Sequence, residues 1–200
     1  MSTHRIPLAV TGLALAAVLA ACGGGAAGPS GADGSRASSS AAATSYSDAD
    51  VTFAQQMTGH HEQAVEMAQL AADRAGSAEV RDLADRIEAA QGPEIETMTG
   101  WLDDWGAEVP MSGMDHGAED GGDMPGGMSA EEMDRLGSLR GSDFDREWLT
   151  MMISHHQGAV EMAEAEQADG THPEAVALAG GIVADQTAEI TEMQELLGRL

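Results

Sequence analysis

The chain has 200 residues, with 34 Asp and Glu against nine Arg, no Lys, and a formal charge of −25 at pH 7. Phosphate backbones are bound by basic patches, so this balance excludes nucleic acid as a partner and favours cations instead. Two Phe, one Tyr and three Trp leave any core to Ala, Leu, Ile, Val and the 13 Met, and a single Cys allows no disulfide within the chain.

The first 22 residues read as an export signal. A basic start at Arg5 precedes an apolar stretch from Ile6 to Ala21 that is short for a membrane span. It closes on Leu19-Ala20-Ala21-Cys22, which resembles the lipobox of bacterial lipoproteins. The resemblance implies a signal peptide over 1–21, cleavage before Cys22 and acylation of its thiol. The protein is then expected to be exported and held by lipid on the outer face of the cell membrane. Residues 22–46 are rich in Gly, Ser and Ala without periodicity, the composition of a flexible tether.

The remainder, 47–200, is an internal duplication. A shift of 95 lays 57–102 over 152–197 without a gap, with 18 identities in 46 positions. Each copy reads as a helical hairpin. The first helix is expected over 48–74, after the capping residues Ser47 and Asp48, and the second over 78–105, with Gly92-Pro93 inside it as an expected kink. In the second copy the helices are expected over 142–168 and 173–198, the latter started by Pro173. Hairpins 47–105 and 138–200 each expose an apolar stripe and must bury it against the other, giving an all-α four-helix bundle. The crossover 106–137 is Gly- and Met-rich and is expected to end in a short helix near 129–137. Gly59 and Gly158 fall inside expected helices without a reason visible in the sequence.

The repeated element is QMTGHHEQAVEM at 56–67 and MMISHHQGAVEM at 151–162. At about 100° per residue, His60 and His61 share one face with Met57, Met67, Phe53, Ala64 and Ala68, while Glu62 and Glu66 face the other way. His155 and His156, with Met152 and Met162, repeat the arrangement. On the partner helices Gln91, Glu94 and Met98, and their duplicates Gln186, Glu189 and Met193, also face inward, either to support the ligands or as further ligands. A core glutamate is costly unless it is paired or bound. These glutamates and glutamines could instead satisfy the histidines as a purely polar, metal-free network.

If a metal is held, the donor types choose it. Di-iron bundles use Glu-x-x-His, whereas the Glu position is here Met57 or Met152, three residues before His60 or His155. A thioether in place of a carboxylate moves preference from iron towards copper, above all Cu(I). Because imidazole must be neutral to bind, affinity is expected to fall as pH drops through about 6.5. The crossover adds Met111, Met114, His116, Met124, Met128 and Met133. In a loop so rich in Gly and Asp nothing is expected to bury them, so Met111, Met114, His116, Met124 and Met128 read as a second set of soft-metal ligands.

The duplicated M-x-x-H-H-x-x-A-V-E-M motif, the FDREWLTMMISHHQGAVEMA block and the Met-rich crossover resemble the DUF305 family, over about 48–200. That family includes copper-binding proteins of the CopM type. The resemblance implies a ferritin-like four-helix bundle, exported, binding copper and linked to copper tolerance, with copper as its partner. No nucleophile with its base, phosphate loop or dinucleotide fingerprint is present, and the expectation is a binding protein rather than an enzyme. The alternatives are a ferritin-like oxidase working through the inward His and Glu, and a metal-free helical interaction module.

Overall fold

Five helices form in the computed structural model, which describes residues 45–110 and 124–200: α1 Asp48–Arg74, α2 Ala78–Trp105, α3 Ala130–Ser138, α4 Gly141–Asp169 and α5 Pro173–Leu197. No strand occurs among the described residues. The export signal, Cys22 and most of the tether lie outside them, as do Met111, Met114 and His116. No helix among the described residues is long and apolar enough to cross a membrane.

The helix ends are written in side chains. Ser47 caps α1, and Asp50 returns the contact to the Ser47 backbone, a reciprocal pair that satisfies two otherwise orphaned donors. Ser77 caps α2, and Gly106 closes it in the left-handed conformation. At α5 the cap is an imidazole: His172 Nδ1 accepts from the Ala175 backbone N–H at 3.3 Å, with Pro173 in the first turn. Helix α2 runs unbroken through Gly92 and Pro93.

Hairpin α1–α2 and hairpin α4–α5 pack through α1 against α4. Ala64, Ala68, Ala159 and Ala163 are buried at or near this seam, where small side chains let two helices come close. The two hairpins also hold each other at their ends, and they do so symmetrically. Asp145, at the start of α4, accepts from Gly76 N–H and Ser77 N–H in the α1–α2 turn, both at 2.9 Å. Its counterpart under the 95-residue shift, Asp50, accepts from Thr171 N–H and from His172 N–H at 2.8 Å in the α4–α5 turn. Each copy thus uses one buried aspartate to close the turn of the other.

A carboxylate that satisfies two buried backbone donors costs free energy when removed, because the donors are left without a partner. Asp145→Asn replaces one acceptor oxygen with a donor and is expected to destabilise the protein by about 2 kcal/mol. Urea unfolding would measure it, and a midpoint equal to that of the wild type would show the clasp contributes nothing.

Two apolar clusters fill the bundle. One gathers Leu83, Ile87, Phe144, Trp148 and Leu149 with Met67, Met152 and Met193, and Trp148 Nε1–H donates to the Met67 carbonyl at 2.8 Å. The other gathers Phe53, Leu102, Ile182 and Ala163 with Met57, Met98 and Met162. Under the 95-residue shift the two methionine trios exchange: Met57 with Met152, Met98 with Met193, and Met67 with Met162.

Candidate metal centre

Four histidines are buried on α1 and α4, namely His60, His61, His155 and His156, each 0 or 1% exposed. Local sequence accounts for this. Adjacent residues on a helix straddle its inward face, and the flanking methionines and alanines keep that face apolar, so both imidazoles of each pair must enter the core.

The pairs divide the work. His61 Nε2 lies 2.8 Å from Glu94 Oε2, and His156 Nε2 lies 2.8 Å from Glu189 Oε2. A carboxylate oxygen can only accept, so in both rings Nε2–H donates, while Nδ1 has no partner. Glu94 and Glu189 reach these rings from the bundle surface, with side chains 22% and 18% exposed, which spares the cost of a fully buried charge. A carboxylate behind a histidine is also the arrangement that fixes the ring of a metal ligand.

His60 and His155 meet each other instead. Their ring centroids are 3.6 Å apart with planes at 30°. His60 Nε2–H donates to the Pro125 carbonyl at 3.1 Å, leaving its Nδ1 without a partner, and neither nitrogen of His155 has one. Burial, aided by the neighbouring histidines, pushes the His60 imidazolium down to about 3 and holds that of His155 well below its ordinary 6.5. Both rings therefore remain neutral, with lone pairs available, well below the pH of about 6.5 expected from the ordinary histidine value.

Gln91 and Gln186 are buried at 3% and 4% exposure, yet neither Gln91 side-chain atom nor Gln186 Oε1 has a hydrogen-bond partner. The metal-free polar network is therefore half built. Each glutamate pairs with Nε2 of one outer histidine and leaves its Nδ1 without a partner, and the glutamines do not satisfy the inner pair.

Methionine placement follows the symmetry. Met57, Met67, Met98, Met152 and Met193 are 0% exposed and Met162 is 8% exposed. The α1 and α4 helices carry Met57 and Met152 one turn before the inner histidines. The layer can thus offer imidazole nitrogen together with thioether sulfur, a set that suits a soft cation. Among the described residues no three His, Cys, Asp or Glu side chains converge as ligands for one ion. A site made only of hard or borderline donors is not assembled there.

The crossover behaves differently from its composition. Met128 is 7% exposed and belongs to the core cluster of Trp148 and Met152, and Met133 packs on the same cluster. The expectation that nothing would bury them is corrected. Gln63 clamps this segment with two bonds of 2.7 Å, one given to the Met128 carbonyl and one received from its N–H. Met124 is half-buried at the start of the same strap.

The strap explains Gly158. A Cβ there would stand 1.8 Å from the Pro125 carbonyl oxygen, and one on Gly126, whose φ is +72°, would stand 2.4 Å from the Ser154 carbonyl. Both glycines let Pro125-Gly126 lie directly on α4, which brings the Pro125 carbonyl to His60. No atom lies within 4 Å of a Cβ on Gly59, and nothing in the structure explains that residue.

At the far end of α4, Glu166 is 2% exposed and neither of its oxygens accepts a hydrogen bond. Burial and the adjacent Asp50 raise its carboxyl to about 8. Asp50 is also desolvated, yet donors from Ser47 and His172 hold it well below the ordinary carboxylate range. Of two carboxyls placed together, the one supplied with donors ionises and the other keeps its proton. Sequence reading missed this pair. The 95-residue shift aligns Asp50 with Asp145 but gives Glu166 only Ala71 as a counterpart.

Two duplicated hairpins, clasped through paired aspartates around a layer of four histidines, define a four-helix bundle with an interior donor set. The chain belongs to the DUF305 family, a domain of unknown function, whose family model matches residues 50–197. No curated protein matches it. Among solved structures it is similar to a DUF305 protein from Streptomyces coelicolor described as a candidate secreted protein, with 38% identity, a TM-score of 0.68, and coverage of 76% of this chain and 93% of that one. A DUF305 fragment from Deinococcus radiodurans matches at 34% identity and a TM-score of 0.67, covering 77% and 98%. CopM in its Cu(II)-bound form matches at 35% identity and a TM-score of 0.64, covering 75% and 96%. CopM is also known in Cu(I)-bound and silver-bound forms.

Proposed function

We propose that this protein is an extracytoplasmic copper-binding protein that sequesters Cu(I) or hands it on, as part of copper tolerance. The observation that carries the reading is the inner histidine pair. His155 is 1% exposed with no partner on either nitrogen, and His60 keeps a free Nδ1, a costly state that a bound cation would relieve. The similarity to CopM, with its copper-bound and silver-bound forms, supports copper as the ion, and Met57 and Met152, one turn away, favour its soft Cu(I) state.

The symmetry of the methionine trios favours two half-sites, His60 with Met57 and His155 with Met152. His61 and His156, oriented by Glu94 and Glu189, are the adjoining imidazoles. Met111, Met114, His116 and Met124 are proposed as outer ligands that collect the ion. Export and a lipid anchor at Cys22 are proposed from residues 1–22. The ion is cargo in this reading, and the chain is not a catalyst. An oxidase built from the inward Glu and His would draw on carboxylates that are here engaged with His61 and His156.

Metal analysis of the protein purified from cultures supplemented with copper and iron tests the reading. Copper is expected in the product with iron near background. Iron in place of copper would favour the oxidase, and a chain without either metal would favour an interaction module.

A further inference from the structure

Between the start of α1 and the end of α4 lies a cavity of about 460 Å3, lined among others by Phe53, Pro125, Glu161, Met162, Glu166 and Asp169. We propose that this cavity is the port through which Cu(I) passes between solvent and the histidine layer. The inference rests on the copper reading and adds the route.

Three features of the cavity argue for transit. Its wall includes Met162, a thioether 8% exposed and the outermost of the trio Met57, Met98 and Met162, so a soft donor faces both the cavity and the core. Its edge includes Pro125, whose carbonyl is 3.1 Å from His60 Nε2. Phe53 and Met162 stand seven residues from His60 and His155 on their own helices, roughly 10 Å of helix rise. The ion thus has a donor part-way along a short path.

The mouth is acidic on both sides, with Asp48 on α1 and Glu161 and Asp169 on α4, all exposed. Asp169 is the last residue of α4, where the helix dipole disfavours a negative charge, so its presence has no stability rationale. Deeper in the wall stands Glu166, 2% exposed, with no donor bonded to either oxygen. The three rim acids, Asp48, Glu161 and Asp169, attract a cation without chelating it, since no three carboxylate or histidine groups converge among the described residues. A store would need such a set, whereas a passage is better without one.

The experiment follows Cu(I) uptake by rapid mixing, with the ion supplied as its cationic acetonitrile complex and the ion not yet taken up trapped after each delay by a chromophoric Cu(I) chelator. In Glu161→Gln/Asp169→Asn, association is expected to slow about fivefold at low ionic strength, with the difference disappearing in roughly 0.5 M salt. A control pair on α2, Glu96→Gln/Asp103→Asn, removes the same charge and should change the rate less than twofold by the same long-range attraction. Ala165→Trp fills the cavity from an exposed position and should slow association and dissociation alike, by about tenfold each, leaving equilibrium affinity unchanged. Equal rates in the rim pair and the control pair, or a plug that alters affinity without altering rates, would overturn the port. Wild-type protein that takes up no Cu(I) would overturn the copper reading itself, a result distinct from fast uptake in every variant.

Discussion

Replacing Met57 and Met152 together by leucine is expected to lower Cu(I) affinity by about a hundredfold or more, since even the outer partners of a metal ligand are worth 10–100-fold. The physical reason is donor softness. The chain has no thiolate to offer inside the bundle, so thioether sulfur is the only soft donor that the histidine layer can recruit. Both methionines are fully buried, and leucine has nearly their volume, so each exchange should cost under about 1.5 kcal/mol of stability. Zn(II) binding through the imidazoles should barely change, because zinc gains little from thioethers. Competition against a Cu(I) chelator, on wild type and double variant, measures the effect. Equal Cu(I) affinity in the two proteins would reduce these methionines to packing and remove the strongest argument for copper in the interior.

The helices were legible because their ends are signalled locally. Ser47 and Pro173 are short-range instructions, and the observed bounds of α1 and α2 coincide with those expected from capping and periodicity. The duplication then made the site legible. A pattern seen twice identified both halves, and the wheel placed all four histidines inward, as they are. What stayed hidden depends on contacts between residues far apart in the chain. Asp50 and Asp145 obey the 95-residue shift, yet the shift does not say that each serves the turn of the opposite hairpin. Met128 looked solvent-bound among glycines because nothing in its neighbours reveals Gln63, 65 residues away, which holds its backbone. Gly158 had no reason visible in the sequence, whereas it is the place where the crossover touches α4.

Burial of the inner histidines also sets the response to acid. In the fold His60 is held to about 3 and His155 well below 6.5, while in the unfolded chain both take a proton below about 6.5. Between those limits the unfolded state binds up to two more protons, so falling pH favours unfolding. Glu166 acts with the opposite sign. Its folded carboxyl is raised to about 8 against 4.5, so its contribution is complete below 4.5 and is lost as pH rises through 8. From pH 4.5 to 6.5 the balance is about one proton in favour of the unfolded state, and stability of the metal-free protein should rise by about 3 kcal/mol. From 6.5 to 8 the contribution of the raised Glu166 carboxyl is progressively lost, and stability should fall by about 2 kcal/mol. The expected result is a maximum near pH 6.5, read from urea midpoints of chelator-treated protein. Glu166→Gln mimics the protonated acid and should level the alkaline limb, while the acid limb steepens from about one proton to about two because the opposing contribution of Glu166 is gone. Midpoints that fall from pH 4.5 to 6.5 would mean that the inner imidazoles accept protons in the fold, leaving Glu166 alone to set the slope, and that their lone pairs are not kept free by burial.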